Sequence, residues 1–186
     1  GTIAIAFSGS LICQSKRKGG VELWRLDPKS TQLISQGSMR ALEGVLATCL
    51  HIDEDNLWVA TADSRIQAYP RDGELPLALT RKPDMEWTVS GGTIVSMSIC
   101  AQVGCGVVAT SSGNVELFSL EQDGSTVASF YPPFDSLVRK SSNVHALCAI
   151  IVAHTKDSKY GSYSIACGGN DGSLYLQPLE MLSDGE

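Results

Sequence analysis

The chain has 186 residues, of which 43% are apolar and 18% charged, and 18 of them are glycine. This composition is typical of a globular domain and excludes a disordered tail, a collagen-like fibre and a coiled coil. Because the chain has 14 basic and 20 acidic residues, its formal net charge is −6, and nucleic acid is not the default partner.

The first predicted element is a short β-strand that recurs four times, as Ile3–Phe7, Leu46–Leu50, Val95–Ile99 and His145–Ala149. Small residues mark every copy, first at Ala4, Ala47, Ser96 and Ala146, and again two places later at Ala6, Cys49, Ser98 and Cys148. Side chains two residues apart on a strand share a face. We therefore expect this face to pack closely against another layer in each copy.

Another strand, the third of each predicted repeat, recurs downstream of each first one, as Val21–Trp24, Ile66–Tyr69, Val115–Phe118 and Leu174–Gln177. Three of these are preceded by apolar or small residues that run into turn formers, at 59–64, 108–113 and 167–172, which predicts a strand, a tight turn and a strand. A weaker fourth strand is predicted at 32–35, 75–79 and 126–130. No helical periodicity is sustained over ten residues, so the predicted class is all-β.

Several of these segments resemble repeats of the WD40-type β-propeller family, namely Ala-Ile-Ala-Phe-Ser at 4–8, Val-Glu-Leu-Trp at 21–24, Val-Ala-Thr at 59–61 and 108–110, and Asn-Asp-Gly-Ser at 170–173. The resemblance covers essentially the whole chain. It implies about four antiparallel four-stranded blades, at approximately 1–36, 44–80, 92–130 and 143–180, as part of a larger ring.

An incomplete ring would leave a sheet face and an edge bare at both ends. If the resemblance holds, we expect the remaining blades to come from further sequence of the same polypeptide, with a partner chain or a dimer as alternatives. A closed four-bladed ring is geometrically possible but fits the family less well.

In a WD40-type ring, the loops between second and third strands and those that enter each first strand lie together on one face. The entering loops here are Met39–Arg40, Arg81–Trp87 and Tyr131–Lys140, and loops on a rigid scaffold commonly carry binding. The alternative is that these residues are solvated turns, with aspartates that only shape the turn. The candidate partner-binding residues are Lys16, Arg17, Lys18, Arg40, Asp63, Arg65, Arg81, Trp87, Asn114, Arg139, Asn170 and Asp171.

Trp87 lies in a polar stretch, 82–87, that we interpret as a loop. There it would either anchor a partner or fill a gap between two blades. The long connection from 131 to 140 mixes apolar residues with a basic end, so it either docks a partner or packs over its own blade.

Enzymatic motifs are sparse. Gly104–Ala109 imitates a dinucleotide-binding fingerprint, but a Val-rich strand follows it instead of a helix. We expect His51, His145 and His154 to be core or capping residues. No catalytic residue, metal ligand or cofactor is predicted, and the leading hypothesis is a non-catalytic scaffold for other proteins or peptides. The alternatives are a binder of nucleic acid or phosphorylated ligands through basic loops and, less favoured, a propeller enzyme.

The predicted compartment is the cytoplasm or nucleus. No apolar run of 18 residues occurs, and the first ten residues lack the pattern of a secretory signal, so no membrane partner is expected. The six cysteines are scattered through apolar stretches without a Cys-x-x-Cys pair, which predicts buried thiols in a reducing environment.

Overall fold

The computed structural model describes residues 1–72, 75–76, 82–121, 125–133, 146–153 and 163–179. Two compact units make up the chain, Gly1–Thr88 and Val89–Glu186. The described residues form an all-β structure of four antiparallel sheets in which neighbouring strands follow one another in sequence, except that the strand Met85–Thr88 pairs with the strand Arg65–Asp72. Helical structure in the described part is limited to two single 3₁₀ turns, Arg40–Leu42 and Ala101–Val103.

The first unit contains two sheets. Sheet 1 consists of β1 (Thr2–Ser8), β2 (Leu11–Lys16), β3 (Val21–Leu26) and β4 (Leu33–Ser38). Sheet 2 consists of β5 (Ala47–Ile52), β6 (Asn56–Thr61), β7 (Arg65–Asp72), the two-residue β8 (Leu75–Pro76) and β9 (Met85–Thr88), and both β8 and β9 pair with β7.

The second unit also contains two sheets. Sheet 3 consists of β10 (Ile94–Cys100), β11 (Cys105–Thr110), β12 (Val115–Ser119) and β13 (Thr126–Phe130). Sheet 4 consists of β14 (Ala146–Ala153), β15 (Tyr163–Gly169) and β16 (Leu174–Pro178).

The core of the first unit lies between one face of sheet 1 and one face of sheet 2. Alternate residues of β2 and β3 point into it, because side chains on a strand alternate between its faces. The contributing residues of sheet 1 are Ala6, Leu11, Cys13, Val21 and Leu23, and those of sheet 2 are Ala47, Ile52, Leu57, Val59 and Tyr69. A two-residue hydrophobic period in sequence is thus the direct cause of the layered packing.

Sheets 3 and 4 repeat this contact in the second unit. The same strand positions supply the apolar residues, which are Cys105, Val107, Ala109, Val115 and Leu117 from sheet 3 and Ala146, Ala149, Ile165 and Cys167 from sheet 4. Small polar residues of β10 add direct links, because the Ser96 and Ser98 hydroxyls accept hydrogen bonds from the backbone amides of Ala149 and Ile151, each at 3.3 Å.

One tight turn joins the second and third strands of all four sheets. In sheet 1 the Gly19 amide donates to the Lys16 carbonyl at 2.9 Å, and the same bond closes the other three turns. The donor residue has positive φ in every copy, being Gly19 (+90°), Ser64 (+67°), Gly113 (+84°) and Gly172 (+84°). Glycine adopts this conformation without steric cost, which explains three of the four residues.

A β-bulge recurs at one place in all four first strands. The pairing with the second strand shifts between Thr2 and Ile5, Ala47 and Cys49, Ile94 and Ser96, and Ala146 and Cys148. A bulge inserts an extra residue on one strand and bends it. The four sheets therefore share this irregularity as well as their regular pairing.

The predicted first and third strands are confirmed in all four sheets. The alignment of the first strands is corrected, because the residues paired with the start of the turn are Thr2, Ala47, Ile94 and Ala146. Sheets 1 and 3 were therefore misaligned by two residues across the bulge. In the corrected alignment, the position that has a small residue in every sheet is occupied by Ala4, Cys49, Ser96 and Cys148.

The predicted fourth strand of sheet 2 is also corrected. Of the segment 75–79 the structure describes Leu75 and Pro76, which form β8 and pair with the end of β7, and the longer strand that pairs along β7 is β9, where Ile66 lies opposite Trp87. The predicted fourth strands at 32–35 and 126–130 correspond to β4 and β13. A search of the described residues finds no helix with the length and apolar character needed to cross a membrane.

Gly19 and Gly172 provide a matched test of the turn. A Cβ on Gly19 would lie 2.7 Å from the carbonyl carbon of Gly44, whereas a Cβ on Gly172 meets nothing within 4 Å. We expect Gly172→Ala to cost about 1–2 kcal/mol from positive φ alone. Gly19→Ala should cost more, because the backbone of Gly44 must also shift. Urea unfolding of the two variants measures the difference, and equal costs would contradict the close contact.

Candidate functional site

The turn after β2 brings the first three predicted site residues to one end of sheet 1. Lys16 ends β2, and Arg17 and Lys18 follow it as exposed turn residues. The turn is held by the backbone, since the Gly20 amide donates to the Val45 carbonyl at 2.9 Å. Gly19 lies directly against Gly44, since a Cβ on Gly19 would be 2.7 Å from the carbonyl carbon of Gly44.

A cleft of about 360 Å³ lies beside this turn, and both Lys16 and Arg40 line it. Arg40 begins the 3₁₀ turn that follows β4, so two separate connections of the chain meet in one concave site. The other lining residues are Gly19, Gly20, Val21, Glu22, Ser38, Met39, Glu43 and Gly44. A second hollow of about 230 Å³ lies on the other side of Lys16 and is lined by Gly1, Thr2, Gln14, Lys16, Arg17 and Lys18.

Four charged residues line this cleft, the cations Lys16 and Arg40 and the carboxylates Glu22 and Glu43. Lys16 forms an ion pair with Glu22. Arg17 and Lys18 line the second hollow. Arg17, Lys18 and Arg40 are exposed and form no ion pair within the described part of the chain. We call Lys16, Arg17, Lys18 and Arg40 the basic cluster.

Asp63 and Arg65 also lie together, but they bind each other. The Arg65 guanidinium donates to Asp63 Oδ2 from Nε at 2.8 Å and to Glu86 Oε1 from Nη1 at 2.9 Å. Gln67 Nε2 donates to the second Glu86 oxygen at 2.8 Å. These bonds connect β7 to β9. The two predicted site residues, Asp63 and Arg65, therefore stabilise sheet 2 and are bonded to each other.

The pKa values in this network follow from those bonds. Hydrogen bonds from Arg65 and then Thr61 hold the pKa of the Asp63 carboxyl below its usual range. Hydrogen bonds from Gln67 and then Arg65 do the same for the pKa of Glu86. Burial, with the Glu86 charge second, raises the pKa of Tyr69 to about 12.

Asn114 does not lie in an exposed loop as predicted. It is buried at the start of the third strand of sheet 3, and its Nδ2 donates to Glu116 Oε1 at 3.0 Å. Its Oδ1 accepts from the Ser129 hydroxyl at 3.0 Å, and Ser90 Oγ donates to the same Glu116 oxygen at 2.5 Å. Asn114 and the buried Glu116 therefore form an internal polar network that links β12 to β13 and to Ser90, which precedes β10.

The loop interpretation of Trp87 is wrong. Trp87 is a half-buried residue of β9 and packs edge to face against Trp58, with ring centroids 6.0 Å apart at 74°. Trp58 itself is fully buried in β6 of the same sheet. The alternation of apolar Met85 and Trp87 with polar Glu86 and Thr88 is the sequence signal that identifies this strand.

The remaining predicted residues fall into two groups. Asn170 and Asp171 lie in the exposed turn of sheet 4, where Asp171 Oδ1 accepts from the Ser173 amide at 2.9 Å and so shapes the turn. Arg81 and Arg139 lie outside the described residues, as does most of the connection from 131 to 140.

The described residues contain no cluster of metal ligands, and several of their thiols have raised pKa values. No group of three or more His, Cys, Asp or Glu side chains among them could hold a metal ion. Burial raises the pKa of Cys13 and Cys167 to about 12 and that of Cys49 to about 11, so these thiols stay protonated at neutral pH. The expectation of buried cysteines holds for four of the six, but Cys148 is exposed and Cys100 is half-buried.

Glu22, Glu43 and the uncharged residues that line the cleft were not predicted from the sequence. One signal was available for Glu22. The third strands of sheets 1 and 3 both begin Val-Glu-Leu, and a glutamate between two buried apolar residues points to the opposite face of its strand.

Comparisons with known proteins identify the fold but no family. No protein-family model and no curated protein matches the chain. Among solved structures the chain is similar to the computationally designed Ika4 protein, with a TM-score of 0.58 and 14% sequence identity over 96% of this chain and 91% of that one. At this identity the likeness concerns the fold alone, and 1137 solved chains match, so the fold does not select a function.

The network around Arg65 predicts a pH-dependent stability. Asp63 and Glu86 have lowered pKa values when folded, so their contribution is present above about pH 4 and is lost as the pH falls below it. We expect Arg65→Gln to destabilise the protein by about 0.5–1 kcal/mol at pH 7, the scale of partly exposed ion pairs. The difference from wild type should shrink towards pH 3.

Urea unfolding at several pH values tests this expectation. Arg17→Gln is the control, because Arg17 is exposed and forms no ion pair in the described residues. A difference between wild type and Arg65→Gln that stays constant from pH 7 to pH 3 would contradict the assignment.

Proposed function

We propose that the chain is a non-catalytic scaffold, built from WD40-type β-propeller blades, that binds other proteins or peptides. Four sheets with one turn, one bulge position and one mode of face-to-face packing support the propeller assignment. The sequence resemblance to WD40-type repeats supports it independently. We further propose the cytoplasm or nucleus as its location, because four of the six cysteines are thiols buried among apolar side chains.

The turn residues favour binding over catalysis. Asp63 and Arg65 are engaged with each other, and Asn114 is engaged with Glu116. A general acid or base must instead reach a substrate with its proton-carrying atom. The polar groups at these positions stabilise their own sheets, which suits a rigid framework that presents a surface.

The proposed ligand class depends on the basic cluster. Arg40 lines the cleft of about 360 Å³, and Arg17 and Lys18 line the neighbouring hollow of about 230 Å³. All three are exposed and form no ion pair within the described residues, although Glu22 and Glu43 also line the cleft. Unpaired surface cations steer and hold ligands of opposite charge. The favoured partner is therefore an acidic segment of another protein.

A phosphorylated ligand or nucleic acid is the second candidate for the same cluster. Arginine matches phosphate as well as carboxylate geometry, and two of the three free cations are arginine. Salt separates the two possibilities, because phosphate backbones release condensed counterions on binding and affinity then falls steeply with salt.

Charge reversal at the basic cluster tests the assignment. We expect Lys18→Glu and Arg40→Glu each to weaken the binding of a fluorescent Asp/Glu-rich peptide roughly tenfold, about 1.4 kcal/mol. Lys29→Glu is the matched control, because Lys29 is equally exposed but lies in the β3–β4 turn at the opposite end of sheet 1. Fluorescence anisotropy at 50 and 200 mM salt, with a single-stranded RNA in parallel, measures both ligands.

Each outcome is decisive for the proposal. Equal weakening by all three variants would mean that net charge and not this site governs binding. Tighter binding of RNA with a steep salt dependence would favour the second candidate, and no binding of either ligand would refute the basic cluster as a ligand site.

The outward face of sheet 1 supports a second kind of partner, a further blade of the same or another chain. Phe7, Ile12 and Trp24 are neighbours across this face, and Phe7 is 76% exposed. The matching positions of sheet 2 hold Ile52, Leu57 and Tyr69, which are at most 8% exposed because they pack on sheet 1. The outward face thus has the apolar character of a surface that packs on a preceding sheet.

Phe7 is the residue to change. We expect the isolated chain to self-associate or to bind a hydrophobic dye, and Phe7→Ser to reduce dye fluorescence by about half, because large exposed apolar patches bind such partners. Tyr131→Ser is the control, since Tyr131 is 68% exposed but lies after β13 and outside a sheet face. Equal loss in both variants, or no dye binding at all, would refute the assignment of this face.

A further inference from the structure

Two cysteines face each other across one hairpin of sheet 3. Cys100 is the last residue of β10, Cys105 is the first residue of β11, and the two are direct partners in the antiparallel register. The connection is short and ordered by a 3₁₀ turn at Ala101–Val103, which the Gly104 amide closes by donating to the Ala101 carbonyl at 3.1 Å.

This pairing meets the distance requirement of a disulfide. Directly opposed residues of antiparallel strands have Cα atoms about 4.5 or 5.5 Å apart and side chains on the same face. Disulfides bridge Cα atoms about 4.4–6.8 Å apart. The Cα separation of the pair thus lies in the range of a disulfide, and the Cβ atoms, about 4.5–5.5 Å apart in such pairs, need a small approach to the roughly 3.5–4.5 Å of a disulfide. Burial, and secondarily the Cys100 charge, raise the pKa of the Cys105 thiol to about 11, so Cys105 stays protonated at neutral pH.

The other four cysteines, all of them within the described residues, lack this geometry. Cys148 is opposite Gly168 and Cys167 is opposite Ala149 on the same pair of strands. Because the two cysteines are one step apart in register, their side chains point to opposite faces of sheet 4. Cys13 and Cys49 are buried in two different sheets.

We propose that Cys100 and Cys105 form a reversible oxidation site that hydrogen peroxide converts to an intrachain disulfide. The half-buried Cys100 meets the oxidant first, since Cys105 is only 9% exposed. The Cys100 thiolate attacks one peroxide oxygen, the O–O bond breaks, and a sulfenic acid forms while hydroxide leaves as water after protonation.

The second step closes the bond. The Cys105 sulfur attacks the Cys100 sulfur, the S–S bond forms, the S–O bond breaks, and the departing hydroxide takes the Cys105 proton to give a second water. The two thiols together lose two electrons and two protons, and one peroxide becomes two waters. A small thiol such as glutathione reverses the reaction by thiol–disulfide exchange.

The site is independent of the basic cluster and of the proposed function. Cys105 begins β11, whereas the turn that joins β11 to β12 follows Thr110 at the other end of that strand. A disulfide at Cys100 and Cys105 would lock the hairpin on the side of sheet 3 away from its second-to-third-strand turn.

The sequence makes the test unambiguous. No Lys or Arg lies between Lys82 and Arg139, so trypsin leaves Cys100 and Cys105 in one peptide that contains no other cysteine. We expect treatment of the whole folded chain with hydrogen peroxide, followed by iodoacetamide, to yield this peptide with two hydrogens lost and no alkylation. Dithiothreitol should restore two alkylatable thiols.

Variants identify the order of the steps. In Cys105→Ser we expect a sulfenic acid at Cys100 that dimedone traps, and in Cys100→Ser we expect neither mass loss nor trapping in this peptide. Cys148→Ser, which removes the exposed cysteine, should leave the disulfide yield unchanged within twofold. The proposal is overturned if the peptide becomes doubly alkylated after peroxide, or if Cys100 is recovered linked to a cysteine of another peptide.

Discussion

Face-to-face packing of the two sheets within each unit is the constraint from which the other features of this molecule derive. In the first unit Leu11, Cys13 and Leu23 are almost fully excluded from solvent because sheet 2 covers them. Burial of such side chains contributes roughly 1.5–3 kcal/mol each, far more than a surface ion pair. The close approach of the sheets also brings Gly44 against Gly19, and the cleft that holds the basic cluster is lined by both segments.

The same backbone turn carries different chemistry in each sheet. In sheet 1 the turn and the strand after it supply Lys16 and Glu22, in sheet 2 Asp63 and Arg65, and in sheet 3 Asn114 and Glu116. All three pairs are bonded internally, and Glu116 is buried with donors from Ser90 and Asn114. Sheet 1 differs because its turn projects Arg17 and Lys18 into solvent. The repeat thus sets the position of these side chains, and the residue types decide whether they stabilise the sheet or remain available to a ligand.

Periodicity made most of the strands predictable, and long-range pairing explains the errors. The all-β class and the first and third strands followed from alternating apolar residues, which report local geometry. The fourth strand of sheet 2 was misplaced because the segment 75–79 and the strand Met85–Thr88 both have strand-like composition, and only pairing with Ile66 and Gln67 selects the second. The burial of Asn114 was equally unpredictable, because it depends on acceptors and donors from Glu116 and Ser129.

The candidate site was predictable in part for a related reason. Lys16 and Arg40 are 24 positions apart, and the expectation that they lie near each other came from the family resemblance, since no local pattern connects them. The interaction of Asp63 with Arg65 needed only the two-residue spacing of a strand, which sequence reasoning did not use.

The bulge in every first strand changes how these repeats must be compared. Upstream of it, Ala47, Ile94 and Ala146 are buried, and downstream Ile52, Ile99 and Ala149 are buried too, at odd separations of five, five and three residues. A strict even spacing would have turned one member of each pair towards the opposite face of its sheet. The extra residue therefore resets the parity of the strand, and any alignment of these sheets must allow a one-residue gap there or it will assign the inner side chains to the wrong layer.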